Sequence, residues 1–528
     1  MSTVYGIDLG TTYSCVARVS EVSDTLAEVV ANKDNEMTTP SVVLFERGEV
    51  VVGKQAKNAA RLKPDNVTRL FKREMGSDDP FFQIDGRDWW PHELSTLVLK
   101  KLVADAEQQG EHVEEVVITC PAYFGFKERA ATRRAGEDAG LKVLGIISEP
   151  TAAAFHHGLR MSADEPARTV LVYDLGGGTF DVSVVRVEGG RVQVLATEGS
   201  RELGGADWDE LLLEHVVERF LTENHGATDP RDTAHDAQEL LTQVEAAKQA
   251  LTERQTAEVF VRGGAVAAMV EIQGEAFDRL TEPLLLQTVD YMNQAVGEVE
   301  AKGQRIDDVL LVGGSSKMPQ VAQRVRTELG LEPQMREPDL AVAKGAALAA
   351  DRIADLDEAA SRPGTAGDSG GDGDVVGGLT SGSPVGDVCP WSFGVRVEDP
   401  DEHREVVHHM VRRHDPIPAH VVETFFTMHD DQAVIRSGIY QQRPGAQESR
   451  ELGDNDLVAE CAIEGIPPGF KKGTPIEVTF GMDPSGLIVV LSRHPGRAQP
   501  EEVRVQVELG GPTSEESAQK LDGLAFRL

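Results

Sequence analysis

The chain has 528 residues, 40% of them hydrophobic and 5% aromatic, which is far beyond one small core and implies three or four packed units. Lys plus Arg number 52 against 88 Asp plus Glu, and the net charge of −36 repels nucleic acid and anionic membrane, so any phosphate must be held locally by backbone and metal. The four cysteines, Cys15, Cys120, Cys389 and Cys461, form no CxxC pair and argue against a structural zinc site or a disulfide framework. No uncharged apolar run of membrane-spanning length and no cleavable leader occurs, so a cytoplasmic location is expected.

Residues 6–19, Gly-Ile-Asp-Leu-Gly-Thr-Thr-Tyr-Ser-Cys-Val-Ala-Arg-Val, read as a strand ending at Asp8, a turn through Gly10, Thr11 and Thr12, and a second strand. Residues 53–76 are basic and polar, with Lys72 just before a loop. Residues 81–86 with Trp89 look like a short hairpin. Pro91 opens a helix over 93–109, where Leu94, Leu97, Val98, Lys101 and Leu102 recur at helical spacing. An apolar strand at 116–120 stops at Pro121, a charged helix follows at 129–139, and residues 149–154 are rich in small side chains.

Residues 171–183, Leu-Val-Tyr-Asp-Leu-Gly-Gly-Gly-Thr-Phe-Asp-Val-Ser, repeat the opening grammar, with Asp174 in the place of Asp8. Glycines lacking a Cβ let backbone N–H groups close around an anion, and Asp174 and Asp181 suit the magnesium that accompanies a nucleoside triphosphate. Two such hairpins suggest a duplicated domain whose halves face one another. A second buried-type strand at 309–312 runs through Gly313 and Gly314 into a helix led by Pro319, and residues 341–349 repeat the small-residue pattern. The helix over 239–252 puts Glu245, Lys248, Gln249 and Thr252 on one face, a nucleoside clamp if 313–317 lies opposite and otherwise a solvated face.

The expected divisions are an α/β domain over 1–356, a flexible Gly-rich linker over 357–386, an all-β sandwich of antiparallel strands over 387–510, and a short helix or tail over 511–528. Period-two strands are expected at 421–426, 434–440, 476–482, 487–491 and 503–509, with a turn at 483–486. The helix expected at 514–524 is too short to build a bundle of its own.

These residues in this order resemble the seventy-kilodalton heat-shock chaperones, the DnaK-like proteins, over nearly the whole chain. Residues 6–16 look like that family's first phosphate motif, 174–183 its second, 310–319 its adenosine motif, and 118–124 with 149–154 its connecting segments. The resemblance implies an actin-like ATPase domain of two RNase H-like lobes, joined to a β-sandwich that binds extended peptide. By position, Gly10, Thr11, Thr12 and Tyr13 would cradle phosphate from one lobe and Gly176, Gly177, Gly178 and Thr179 from the other, with Gly204 and Gly205 beside them. Lys72 would be the catalytic lysine, in one catalytic set with Asp8, Glu149, Asp174, Thr179 and Asp181. Asp8, Asp174 and Asp181 would hold magnesium, mostly through water, and potassium is a further candidate ion. Glu245, Lys248, Gln249, Thr252, Gly313, Gly314, Ser315, Ser316, Lys317 and Asp339 would line the nucleoside pocket for ATP and ADP. Gln249 and Lys317 stand where the family commonly stacks arginines on adenine, which implies weaker ATP binding.

The same resemblance makes Pro121 and Arg129 a relay to the second domain, and places Val395, Glu398, Phe425, Met428 and Ile435 at a peptide groove. The implied activity is slow ATP hydrolysis that switches affinity for unfolded or extended polypeptide. A J-domain co-chaperone and a nucleotide exchange factor are the implied further partners. Two departures bear on coupling: Gly145 and Ser148 replace the usual arginine and asparagine of the J-domain contact, and Val-Val-Gly-Gly-Leu at 375–379 replaces a run of leucines in the linker. The alternatives are an actin-superfamily small-molecule kinase and a nucleotide-dependent scaffold without peptide binding.

Overall fold

The computed structural model describes residues 3–20, 26–158, 166–189, 191–361, 385–399, 403–444, 446–464, 466–494, 501–503, 505–507, 509–522 and 524–526. Two mixed sheets organise the first two-thirds of the chain. In the first, Val4–Asp8 pairs antiparallel with Tyr13–Val19, which pairs with Ala27–Val30; on its other side lie Glu115–Cys120 and then Lys142–Ser148, both parallel. In the second, Arg168–Leu175, Phe180–Glu188 and Arg191–Ser200 form the antiparallel run, and Asp308–Val312 and Gln334–Met335 form the parallel side. Order and direction are the same in both. Covered on both faces, the central strands are continuous apolar runs, so Val170, Leu171, Val172 and Tyr173 are all wholly buried.

The two lobes meet through the small-residue helices Glu149–Gly158 and Ala341–Ser361, which share one core with residues of both sheets. They pass so closely that a Cβ on Gly345 would lie 1.8 Å from the Ala152 carbonyl oxygen. Each lobe carries an outer portion. In the first lobe, Val42–Glu46, Glu49–Val52 and Val67–Arg69 pair beside the helix Lys54–Ala59. The second lobe has the hairpin Thr256–Gly263 and Val266–Gln273, packed by Gly205–Glu223, Ala234–Leu251 and Gly274–Ala301.

Beyond them is the expected sandwich. One sheet runs Arg404–Val411, Phe393–Asp399, Ile435–Gln442, Asn455–Ile463 and Val505–Gln506, and the other Ala419–Phe426, Pro475–Met482, Ile488–Arg493 and Glu501–Val503. All of these pairings are antiparallel. Phe393, Ile439, Ile476 and Phe480 are fully buried between the sheets. The four cysteines are buried and free.

Three boundaries differ from the sequence reading. The helix Ala341–Ser361 runs past residue 356, and the Gly-rich stretch 362–384, including 375–379, lies outside the described residues. Val385–Val388 joins the two units instead of dividing them at residue 386: Val385 and Gly386 pair parallel with Val192 and Gln193 at the edge of the second lobe's sheet, and Asp387 and Val388 pair antiparallel with Ile417 and Pro416 of the sandwich. Four residues around Gly386 and Asp387 carry too little periodicity to announce such a strand, and the partner that orders them is distant in sequence. The third difference is the C-terminal helix, Ser514–Asp522, which joins the first lobe instead of standing alone. Thr513 and Glu516 cap it reciprocally, Leu521 enters the first lobe's core, and Ala525–Phe526 pairs parallel with Glu49 and Val50.

Candidate functional site

The two glycine-bearing turns meet across the gap between the lobes. A Cβ on Gly177 would fall 2.4 Å from Thr12 Oγ1, and one on Gly178 would fall 2.3 Å from Thr11 Cγ2, so each loop is shaped by the other. They open on a cleft of about 590 Å³. Its lining brings together Asp8, Gly10, Thr11, Thr12, Tyr13, Glu149, Asp174, Gly176, Gly177, Thr179 and Gly205 with Glu245, Lys248, Gln249, Thr252, Gly313, Gly314, Ser315, Lys317 and Asp339. Most of the residues expected at the site therefore do converge, and the face of Ala234–Leu251 carrying Glu245 does lie across from 313–317.

Five expected residues stand behind that lining. Lys72 is buried and paired with Glu149. Asp181 accepts a hydrogen bond from the Ala122 amide at 2.8 Å. The Gly178 carbonyl accepts from Arg73 Nε at 2.6 Å, and Gly204 packs on the Gly178 backbone. Ser316 Oγ donates to the Val312 carbonyl and accepts from the Leu175 amide, a bracing role within the turn. Lys248, although it lines the cleft, is committed to the Gly205 carbonyl at 2.6 Å and to Asp209 at 2.8 Å. Lys317 is paired with Asp339.

Burial dominates the electrostatics. It raises the Asp8 carboxyl to about 7, with the charge of Glu149 adding to the effect. It also raises Asp174 and Asp181 well above the usual carboxylate range, again with Glu149 contributing. For Lys72 burial acts the other way, yet the charges of Glu149 and Asp8 hold its ammonium above the ordinary value. With three buried acids around one lysine already paired with Glu149, the pocket floor resists holding their charges by itself, and a hard divalent cation would stabilise the ionised carboxylates.

Sequence reasoning missed the residues that tie the lobes together. Lys57 Nζ reaches Glu245 across the cleft at 2.6 Å and Tyr13 Oη at 3.0 Å. Arg73 reaches Asp207 at 2.6 Å. Both belong to the basic stretch 53–76, of which only Lys72 was singled out; the acids Glu245 and Asp207 on the facing helices were the available signal.

A line of hydrogen bonds leaves the site through Pro121. The Ala122 amide holds Asp181, the Phe124 carbonyl accepts from Arg129 Nε at 2.9 Å, and Arg129, itself buried, reaches the Ser485 carbonyl at 3.2 Å and Asp387 at 3.3 Å. Trp391 Nε1 donates to the Tyr123 carbonyl at 2.8 Å, and Gln441 accepts from the Phe126 amide. The sandwich is thus docked on the first lobe at the turn that holds a site carboxylate.

Within the sandwich, Val395 is buried in the core, and Phe425 and Ile435 pack on it half-exposed. Along Ala419–Phe426 the inward residues, Ala419, Val421, Glu423 and Phe425, are only half-buried and the outward ones are exposed, so this strand is incompletely covered. Met428 and Glu398 are exposed, and Glu398 stands opposite Glu405.

A sequence model described as Hsp70 protein matches residues 4–358 and 372–523. The chaperone protein DnaK of Halobacterium salinarum is 37% identical over 512 residues, covering 95% of this chain and 75% of the relative. Those of Thermotoga neapolitana and Thermosipho africanus are 36% and 35% identical over 513 residues, covering 95% of this chain and 80% and 79% of theirs. With facing phosphate-type turns, a docked sandwich and matches along nearly its whole length, the chain belongs to the Hsp70 family.

Proposed function

We propose that ATP is bound and hydrolysed in the cleft between the two lobes, and that its state is passed to the sandwich through Pro121, Arg129 and Asp387. As an Hsp70, the chain is an ATP-dependent molecular chaperone and an ATPase. The observation that carries the finer reading is the contact between the two glycine turns above the buried acids. The matching order of the two sheets supports a duplicated, RNase H-like arrangement of the ATPase domain.

In this reading the turns at Gly10–Tyr13 and Gly176–Thr179 hold phosphate through backbone N–H groups and hydroxyls. Asp8, Asp174 and Asp181 would hold magnesium, whose charge offsets that of the phosphates. No three acid or imidazole ligand atoms at this site come within metal-ligand spacing of one another among the described residues, which suits attachment through intervening waters. Lys72 and Glu149 orient the attacking water and the transferring phosphoryl group. Lys57 and Glu245 bridge the lobes over the nucleoside end. Extended polypeptide adds along the half-covered face containing Phe425 and Ile435, with main-chain hydrogen bonds supplying affinity.

Among the described residues no helix is long and apolar enough to cross a membrane. The deciding experiment is an ATPase assay with and without an unfolded, reduced polypeptide. Free phosphate whose release rises with polypeptide is the expected result. Phosphate transferred to an added sugar, or turnover indifferent to polypeptide, would overturn the reading.

A further inference from the structure

The turn between Arg404–Val411 and Pro416–Ile417 carries His414 of the sandwich against the second lobe. There it meets Glu198 of the strand Arg191–Ser200 and Glu298 of the helix Gly274–Ala301. His414 Nδ1 lies 2.7 Å from Glu298 Oε2, and Nε2 lies 3.3 Å from the Thr197 carbonyl oxygen. One ligand atom from each of the three residues falls within 4.8 Å of the other two.

Both imidazole nitrogens therefore face oxygen acceptors. A neutral ring can donate from only one of them, so unless the ring carries a second proton, one nitrogen presents a lone pair that can ligate a metal ion. An Nε2–H directed at a backbone carbonyl is the arrangement that fixes a histidine for ligation through its other nitrogen. The His414 and Glu198 side chains are 11% and 9% exposed and Glu298 is 35% exposed, so two ligands are sheltered and the third opens to solvent. Arg413 Nη2 sits 2.5 Å from Glu198 Oε1 and is the competitor an incoming ion must displace.

We propose that Glu198, Glu298 and His414 form a divalent transition-metal site, of the zinc or manganese class, that fastens the sandwich to the second lobe. One imidazole with two carboxylates suits these ions, whereas magnesium favours an all-oxygen octahedron with retained waters, so the site selects a different ion from the nucleotide's. Ligation through Nδ1 needs that nitrogen without its proton, so any proton there is released on binding. Because the ligands come from both domains, the ion binds the docked arrangement alone and favours it by mass action, about a hundredfold when present at a hundred times its dissociation constant. The proposal does not depend on which nucleotide or polypeptide the protein uses.

The test is titration of the metal-stripped full chain with Zn2+ by calorimetry and with Co2+ by visible absorption, in excess Mg2+. One bound equivalent is expected, with increased amide-exchange protection at 385–388. His414→Gln and Glu298→Gln should each weaken binding by about tenfold or more. Arg413→Gln should tighten it, because the competing guanidinium is gone, and this variant keeps the test decisive if the other two fold poorly. No binding by the unaltered chain would mean that the bridge is an imidazolium ion pair only. Binding that all three variants leave unchanged would place the ion elsewhere; either outcome overturns the proposal.

Discussion

The two lobes of the ATPase domain share a sheet order but finish their edges differently. In the second lobe the edge strand Arg191–Ser200 gains a further partner, Val385–Val388, which leads directly into the sandwich. The matching edge of the first lobe, Ala27–Val30, gains no such strand among the described residues. The first lobe is instead gripped from outside by the C-terminal helix, where Lys520 reaches Glu93 at 2.7 Å and the Asp88 carbonyl at 2.6 Å, and lies over the Trp89 ring at 3.9 Å. One repeated framework has thus become two kinds of attachment, a main-chain ladder on one lobe and a side-chain clasp on the other. The proposed chemistry is unequal too, since Lys72 and Glu149 both precede the second sheet.

The sharpest way to break the comparison is at that chemistry. Lys72→Ala should lower the rate of ATP hydrolysis by about a hundredfold to a thousandfold while ATP binding persists, because the lysine stands behind the cleft lining and away from the nucleoside end. Single-turnover hydrolysis and equilibrium nucleotide binding on the same variant separate the two; unchanged turnover would remove Lys72 from the mechanism.

On the ladder side, Asp387→Ala strands the buried Arg129 guanidinium, and docking should weaken by about 3 kcal/mol. Asp387→Asn, which keeps a hydrogen-bond acceptor, should lose less. Amide exchange at 385–388 reads the difference, and equal protection in both variants would mean that the pair does not hold the sandwich.

The clasp side should respond to pH. Burial, followed by the charges of Arg134 and Lys520, pushes His92 from 6.5 down to about 3. With its folded value depressed, the stability tied to neutral His92 is fully present above 6.5 and is lost progressively as pH falls toward 3. At pH 5 the loss is about 2 kcal/mol. Thermal unfolding at neutral pH and at pH 5 should diverge more for the unaltered chain than for His92→Gln, and parallel behaviour would count against the assignment.

Lys520→Met keeps the aliphatic stem on Trp89 but leaves the buried Glu93 carboxylate to Ser517 and the Trp90 amide, and should weaken helix docking by about 2 kcal/mol. Proteolysis near residue 512 reports it, and no change in cleavage rate would show that packing of Leu521 alone is sufficient.

What could be read from the sequence follows from distance along the chain. The glycine turns announce themselves because glycine, threonine and aspartate sit within a few residues of one another, and Gly177 and Gly178 do pack against Thr12 and Thr11 of the facing turn. The sandwich strands were legible through period-two alternation, as at Val421, Phe425 and Ile435. Lys57 with Glu245, Arg129 with Ser485, and Lys520 with Glu93 were not, because each joins ordinary polar residues from remote parts of the chain and no local pattern marks them. Val385–Val388 was split between the linker and the sandwich for the same reason.

The pairing of Ala525–Phe526 with Glu49 and Val50 bears on the order of assembly. On the ribosome, the first lobe's outer strands are complete long before these two residues are made, so the ladder between them closes a loop containing nearly everything else. Such a contact is among the last to form and, resting on two residues, among the first to open. Until it closes, the Glu49–Val52 edge is exposed to any other extended chain, and the protein's own tail is then the strand that keeps foreign ones away.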